Sequence, residues 1–149
     1  MTDDRWHLEN AEQTLRDIAS ICPFVTGHVI VAAVYLATQQ VTGARVAVVG
    51  EPPDRHDASE LLHGLAEQLV PERWAFGRDG HGMTHVLVTV VCRQGRVTPT
   101  ESEGAWLMAW RYSNHLRGAF QGDVYVVTPH GWGGYLDRRA GYEPCLEVA

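Results

Sequence analysis

The chain contains no lysine. All twelve basic residues are arginines, set against eighteen acidic ones, and the formal net charge is −6. Proteins that bind nucleic acid draw much of their affinity from a basic face, so no nucleic-acid partner is expected. Cysteine is scarce as well: Cys22, Cys92 and Cys145 are odd in number, far apart and never in a C-x-x-C pair. A disulfide framework needs paired cysteines and an oxidising compartment, so reduced thiols in the cytoplasm are the expectation. No long apolar run is present. The longest, Val29 to Ala37, is nine residues, against the roughly 20 that a membrane helix requires. The start, Met1-Thr2-Asp3-Asp4-Arg5, is acidic and polar, unlike the basic start of a signal peptide.

Catalytic signatures are missing too. The sequence holds no G-x-S-x-G elbow, no phosphate-binding loop, no G-x-G-x-x-G after a strand, no H-E-x-x-H and no H-x-E with P-C-x-x-C. No cofactor is expected from such a chain.

What remains describes one α+β domain over residues 1–149. The apolar fraction of 45% and charged fraction of 20% are ordinary for a globular protein, and no polar linker divides the chain. Leu8, Ala11, Leu15, Ile18, Ala19 and Cys22 recur at helical spacing, with Thr2 or Asp3 as cap and Pro23 as stop. Val29 to Leu36 is apolar on both faces. Its β-branched content favours a strand over a buried helix, followed by a second strand from Arg45 to Val49. Ala58, Leu61, Leu62, Leu65, Ala66 and Leu69 mark the most regular helix, with Asp57 and Glu60 resembling a capping box. A short strand near Trp74 to Gly77, the turn Asp79-Gly80-His81-Gly82 and a central strand from Thr84 to Cys92 come next. Thr100 and Glu103 form a capping box for a third helix reaching Leu116 or Phe120, and a last strand runs from Asp123 to Thr128. The expected order is α-β-β-α-β-β-α-β, with a mixed or antiparallel sheet of about five strands packed by three helices.

The third helix is apolar over an unusual breadth. Ala105, Met108, Ala109, Tyr112 and Leu116 form one stripe, with Trp106 and Trp110 beside it. A surface helix needs only about a third of its circumference apolar, so burial on a second side is expected, by the C-terminal tail or by another subunit. Self-association as a homodimer through this Trp-rich helix is the leading expectation.

Two polar groups are candidate sites. After the last strand come His130, Trp132 and Tyr135 among several glycines: an acid or base near neutral pH beside rings that stack on planar ligands. The third helix ends in Arg111, Asn114 and His115, which its periodicity places on one face. If the two groups meet, His130 and His115 are candidate catalytic bases, Arg111 an anion binder, and Asn114, Trp132 and Tyr135 ligand contacts in a small hydrolase or lyase. No metal site is expected. His81 and His85 are separated by turn glycines, and His56 and His63 read as solvated surface.

The layout around the third helix also carries a resemblance. A strand ends at Cys92, a glycine turn leads to Thr98-Pro99-Thr100-Glu101-Ser102-Glu103, and a helix and a strand follow. This resembles the second half of JAB-type metalloprotease folds, including RadC-like proteins, in which a His-x-His pair ends the strand and an acidic residue opens the helix. The matching positions here are Val90, Cys92 and Glu103, so both histidines are replaced. The resemblance implies a metal-free, inactive scaffold. The overly apolar third helix, five tryptophans and the absence of a complete catalytic set make a non-catalytic binding or accessory protein that self-associates the leading functional expectation. The small hydrolase or lyase and the inactive JAB-like scaffold are the alternatives.

Overall fold

A computed structural model describes residues 8–50, 53–70, 84–113 and 119–147. The elements are α1 (Ala11–Ile21), β1 (His28–Tyr35), β2 (Gln40–Val49), α2 (Arg55–Leu69), β3 (His85–Cys92), α3 (Glu101–Ser113), β4 (Ala119–Thr128), β5 (Gly131–Gly134) and β6 (Ala140–Gly141). Among the described residues, six strands form one mixed sheet in the order β2-β1-β3-β4-β5-β6. β1 runs antiparallel to both β2 and β3, whereas β3 and β4 are parallel and joined by α3. A parallel pair needs such a crossover. The expected strand near Trp74 and the turn at Asp79 to Gly82 lie outside the described residues.

The two apolar-on-both-faces runs are now explained. In β1, Ile30, Ala32 and Val34 point to the layer built by α1, with Leu8, Leu15 and Ile18. Val29, Val31 and Ala33 point the other way, to α2 and α3. In β3, Val86, Val88, Val90 and Cys92 join the first cluster, and Leu87 and Val91 the second. Side chains alternate along a strand, so a strand covered on both sides has no polar face to show. The chain is a three-layer α/β/α sandwich with two cores.

Several boundaries differ from the sequence expectation. α1 is capped by Asn10, whose side chain accepts from Gln13 N at 3.1 Å, so the described helix starts well after Thr2 and Asp3. α2 is capped by Asp54, which accepts from Asp57 N at 2.9 Å, and Asp57 lies inside the first turn. β4 starts by Ala119 rather than Asp123, which excludes a helix reaching Phe120. α3 is described as far as Ser113, whose hydroxyl donates back to Trp110 O at 2.7 Å, and the expected end at Leu116 lies outside the described residues.

The orientation of α3 is the larger correction. Its buried face is Glu103, Trp106, Leu107, Ala109, Trp110 and Ser113, while Ala105 is exposed and Tyr112 is 60% exposed. Trp106 and Trp110 are 3% and 0% exposed within a single chain. They pack between the sheet and α2, where Ser59 also donates to Ala109 O at 3.1 Å. The breadth of α3 is thus absorbed by two neighbours inside one subunit and makes no demand for a second.

Candidate functional site

The segment expected to be a loop after the last strand is a hairpin. Thr128 Oγ1 accepts from His130 N at 3.0 Å, and Gly131 takes a φ of 131°, a conformation that needs glycine. The chain then returns as β5 against β4. Strand propensity gave no warning of Gly131-Trp132-Gly133-Gly134. Glycine is required there by close approach: a Cβ on Gly133 would lie 2.8 Å from Val97 O. Trp132 is not available for stacking on a ligand. It is 4% exposed, lies edge-on to Tyr125 at 6.0 Å between ring centroids and donates to Glu143 O at 2.8 Å.

The proposed His130–Arg111 constellation does not assemble. α3 runs back from the end of β3 to the start of β4, so Arg111 lies by the beginning of β4. His130 follows its end. Ten strand residues separate the two levels, on the order of 30 Å at about 3.3 Å per residue. Both side chains are exposed. Asn114 and His115 lie outside the described residues. Among the described residues, one set offers metal-ligating atoms within 4.8 Å of one another: His56, Asp57 and Glu60, all exposed on the first two turns of α2.

What the fold does build is a cleft of about 550 Å³ between the loop before α3 and the C-terminal hairpin. Val97, Thr98 and Pro99 form one wall; Gly133 to Leu136 and Arg138 to Ala140 form the other. Of the candidate site residues that lie among the described ones, Tyr135 alone lines it. Its ring lies over α3, where Gly104 leaves room: a Cβ there would come 2.9 Å from the Tyr135 hydroxyl. A helix-interior glycine costs stability relative to alanine, and this contact accounts for it.

The first wall is held by Arg93. Its guanidinium donates five hydrogen bonds: Nε to Glu103 Oε2 (3.2 Å), Nη2 to Glu103 Oε1 (2.9 Å) and Thr98 O (3.1 Å), and Nη1 to Gln94 O and Arg96 O (both 3.0 Å). All of its donors are used. Glu103 is fully buried, and its Oε1 also accepts from Thr100 N at 2.8 Å and Thr100 Oγ1 at 3.2 Å, the glutamate half of the expected capping box, while Thr100 Oγ1 accepts from Ser102 N at 3.3 Å. These are the positions at which the JAB-type resemblance would put a metal, and they do not fit one. Val90 carries no donor atom and is buried on the α1 side. Burial pushes the Cys92 thiol up to about 12, which disfavours the thiolate that a metal would need. Both Glu103 oxygens are engaged by the guanidinium.

The second wall is held by a buried carboxylate network. Asp123 accepts from Val124 N (2.8 Å), Leu136 N (2.7 Å) and Asp137 N (3.0 Å). Asp137 accepts from Tyr125 Oη at 3.0 Å and from Arg139 Nε at 2.8 Å, and Arg139 Nη1 reaches Leu8 O at 2.6 Å. Burial pushes the Asp123 carboxyl up to about 6 against the pull of its three backbone N–H donors, with the neighbouring Asp137 charge adding to the rise. Burial also opposes charge on Asp137, but the Arg139 backbone N–H and guanidinium outweigh it and hold that carboxyl below its usual range.

This pair sets a testable pH dependence. A folded-state value above the unfolded one means that the Asp123 contribution is fully present below about pH 4 and is lost as pH rises through about 6. Asp137 titrates below this window. Relative to Asp123→Asn, the native protein should lose roughly 1–3 kcal/mol between about pH 4 and about pH 7. Urea denaturation of both proteins across that range checks this, and a pH-independent difference refutes it.

The chain matches no family model, and neither a curated protein nor a solved structure shows significant similarity to it.

Proposed function

We propose that this is a non-catalytic binding protein on a metal-free scaffold, with its ligand site in the cleft between the 97–99 loop and the C-terminal hairpin. One observation carries the reading. At the corner between β3 and α3, the buried acid that opens the helix is closed off by a guanidinium whose five donors are all satisfied. A reacting group there would need a free oxygen, a free donor or an ionised thiol, and Glu103, Arg93 and Cys92 offer none of these. The same guanidinium holds Arg96 O and Thr98 O and so shapes the cleft beside it. A cation is still required next to the buried acid, and arginine supplies it permanently. Self-association is no part of this proposal, because the α3 face that called for it is occupied within the chain.

The reading predicts indifference to metal. Dialysis against a chelator should leave the melting temperature unchanged, and elemental analysis of the purified protein should find well under one equivalent of any transition metal. A stoichiometric metal that is lost with Glu103→Gln, or a drop of several degrees on chelation, would overturn it.

A further inference from the structure

We infer that the cleft takes a singly charged carboxylate attached to an apolar body, gripped by Arg138. This deepens the proposal above and rests on the cleft being the binding site. The lining is cationic in a protein of net charge −6: Arg138 and Arg139 are among its ten residues, and no aspartate or glutamate is. The two arginines are not equivalent. Arg139 is neutralised by Asp137 at 2.7 Å and tied to Leu8 O. Arg138 is exposed and has no ion pair or side-chain hydrogen bond among the described residues. Arg138 is therefore the one lining cation left without a partner among the described residues, with the Asp123 and Asp137 carboxylates buried behind Gly134. A single free guanidinium suits a monoanion better than a phosphate dianion. A guanidinium presents a planar fork that matches a carboxylate.

The remaining lining sets the rest of the ligand. Val97, Pro99, Leu136 and Ala140 are apolar, and Leu136 is 42% exposed. An uncovered apolar wall next to an unpaired cation asks for an amphipathic anion. The backbone at Arg138 points the same way. It adopts a φ of 60°, where a non-glycine residue is held at a cost. Asp137 Oδ1 accepts from Arg139 N at 2.9 Å and fixes this turn. Glycine would sit there more easily, so the turn alone does not explain the arginine.

That conformation supplies a clean test. Arg138→Gly removes the guanidinium and relieves the backbone, so the melting temperature should hold or rise while binding falls. The full chain, labelled with ¹⁵N, is titrated with 4-phenylbutyrate, with its neutral amide, and with a short peptide ending in leucine as the free acid or the C-terminal amide. Shifts at the amides of Gly133, Gly134, Tyr135, Leu136 and Ala140 report on the cleft. The free acids should bind about tenfold more tightly than their amides, and Arg138→Gly should erase that difference. Tighter binding of the peptide acid than of 4-phenylbutyrate identifies the carboxylate as a chain terminus, and the reverse identifies a small molecule. Equal binding of acid and amide at these residues would overturn the carboxylate inference while leaving the cleft as a site. Absence of cleft shifts with every probe at 10 mM, on the order of the weakest measurable affinity, would overturn the site itself.

Discussion

Arg93→Ala is expected to destabilise the fold by about 3 kcal/mol or more, the range for removing one partner of a buried ion pair. Arg93 retains 23% side-chain exposure, whereas Glu103 has none, so the cost falls mainly on the acid left behind in a dry site. Against a total stability of about 5–15 kcal/mol, that loss moves a urea midpoint far enough to measure directly. The double variant Arg93→Ala/Glu103→Gln separates the causes. If the stranded charge dominates, neutralising it should recover much of the loss, because glutamine keeps an oxygen for Thr100 N. If the double variant is no better than the single, the cost lies in the loop carbonyls and the proposed role for this pair fails. Arg93→Lys should fall between, since a point charge cannot serve Glu103 and three carbonyls together.

Trp110→Ala should cost about 3–5 kcal/mol, as expected for a large aromatic removed from a packed core. The side chain is fully buried, and its Nε1 donates to Thr89 Oγ1 at 2.6 Å in the middle of the sheet. Trp110→Phe keeps most of the volume but strands the Thr89 hydroxyl, which is itself fully buried. About 1–3 kcal/mol is expected for that change. Adding Thr89→Val to Trp110→Phe should restore part of it, and thermal or urea unfolding of the four proteins measures the coupling. Strictly additive losses would mean that the hydrogen bond contributes nothing beyond packing.

The fold was legible wherever one periodicity dominated. The α2 pattern put Ala58, Leu62, Leu65 and Ala66 where the structure buries them. The β-branched run of β1 resolved as a strand because both of its faces are covered. Periodicity failed on α3, where indoles and aliphatics surround the helix. Residue type could not say which stripe faces inward, and the stripe through Ala105 and Tyr112 turned out to be the wetter one. It failed again at Gly131 to Gly134, where a strand is dictated by neighbours pressing on glycines rather than by propensity. Of the candidate site residues, Tyr135 lines the cleft and Trp132 is buried in the core, since an indole among glycines looks the same whether it caps a core or greets a ligand. Glu103 announced itself through the capping box. Its partner Arg93 did not, because an ion pair between residues ten positions apart across a loop leaves no repeating mark. Arg138 and Arg139 lie past the last periodic segment, and only the folded hairpin gives them a cleft to line.

The parallel pairing of β3 with β4 also has a kinetic consequence. The β1–β2 and β4–β5 hairpins can close locally, but the centre of the sheet forms only after α2 and α3 have been threaded between partners distant in sequence, and such contacts are slow to close. Until then β1 and β3, greasy on both sides, wait for each other in a half-assembled chain. Refolding yield should therefore be sensitive to protein concentration in that interval, with sticking between molecules competing against the middle of the sheet rather than its edges.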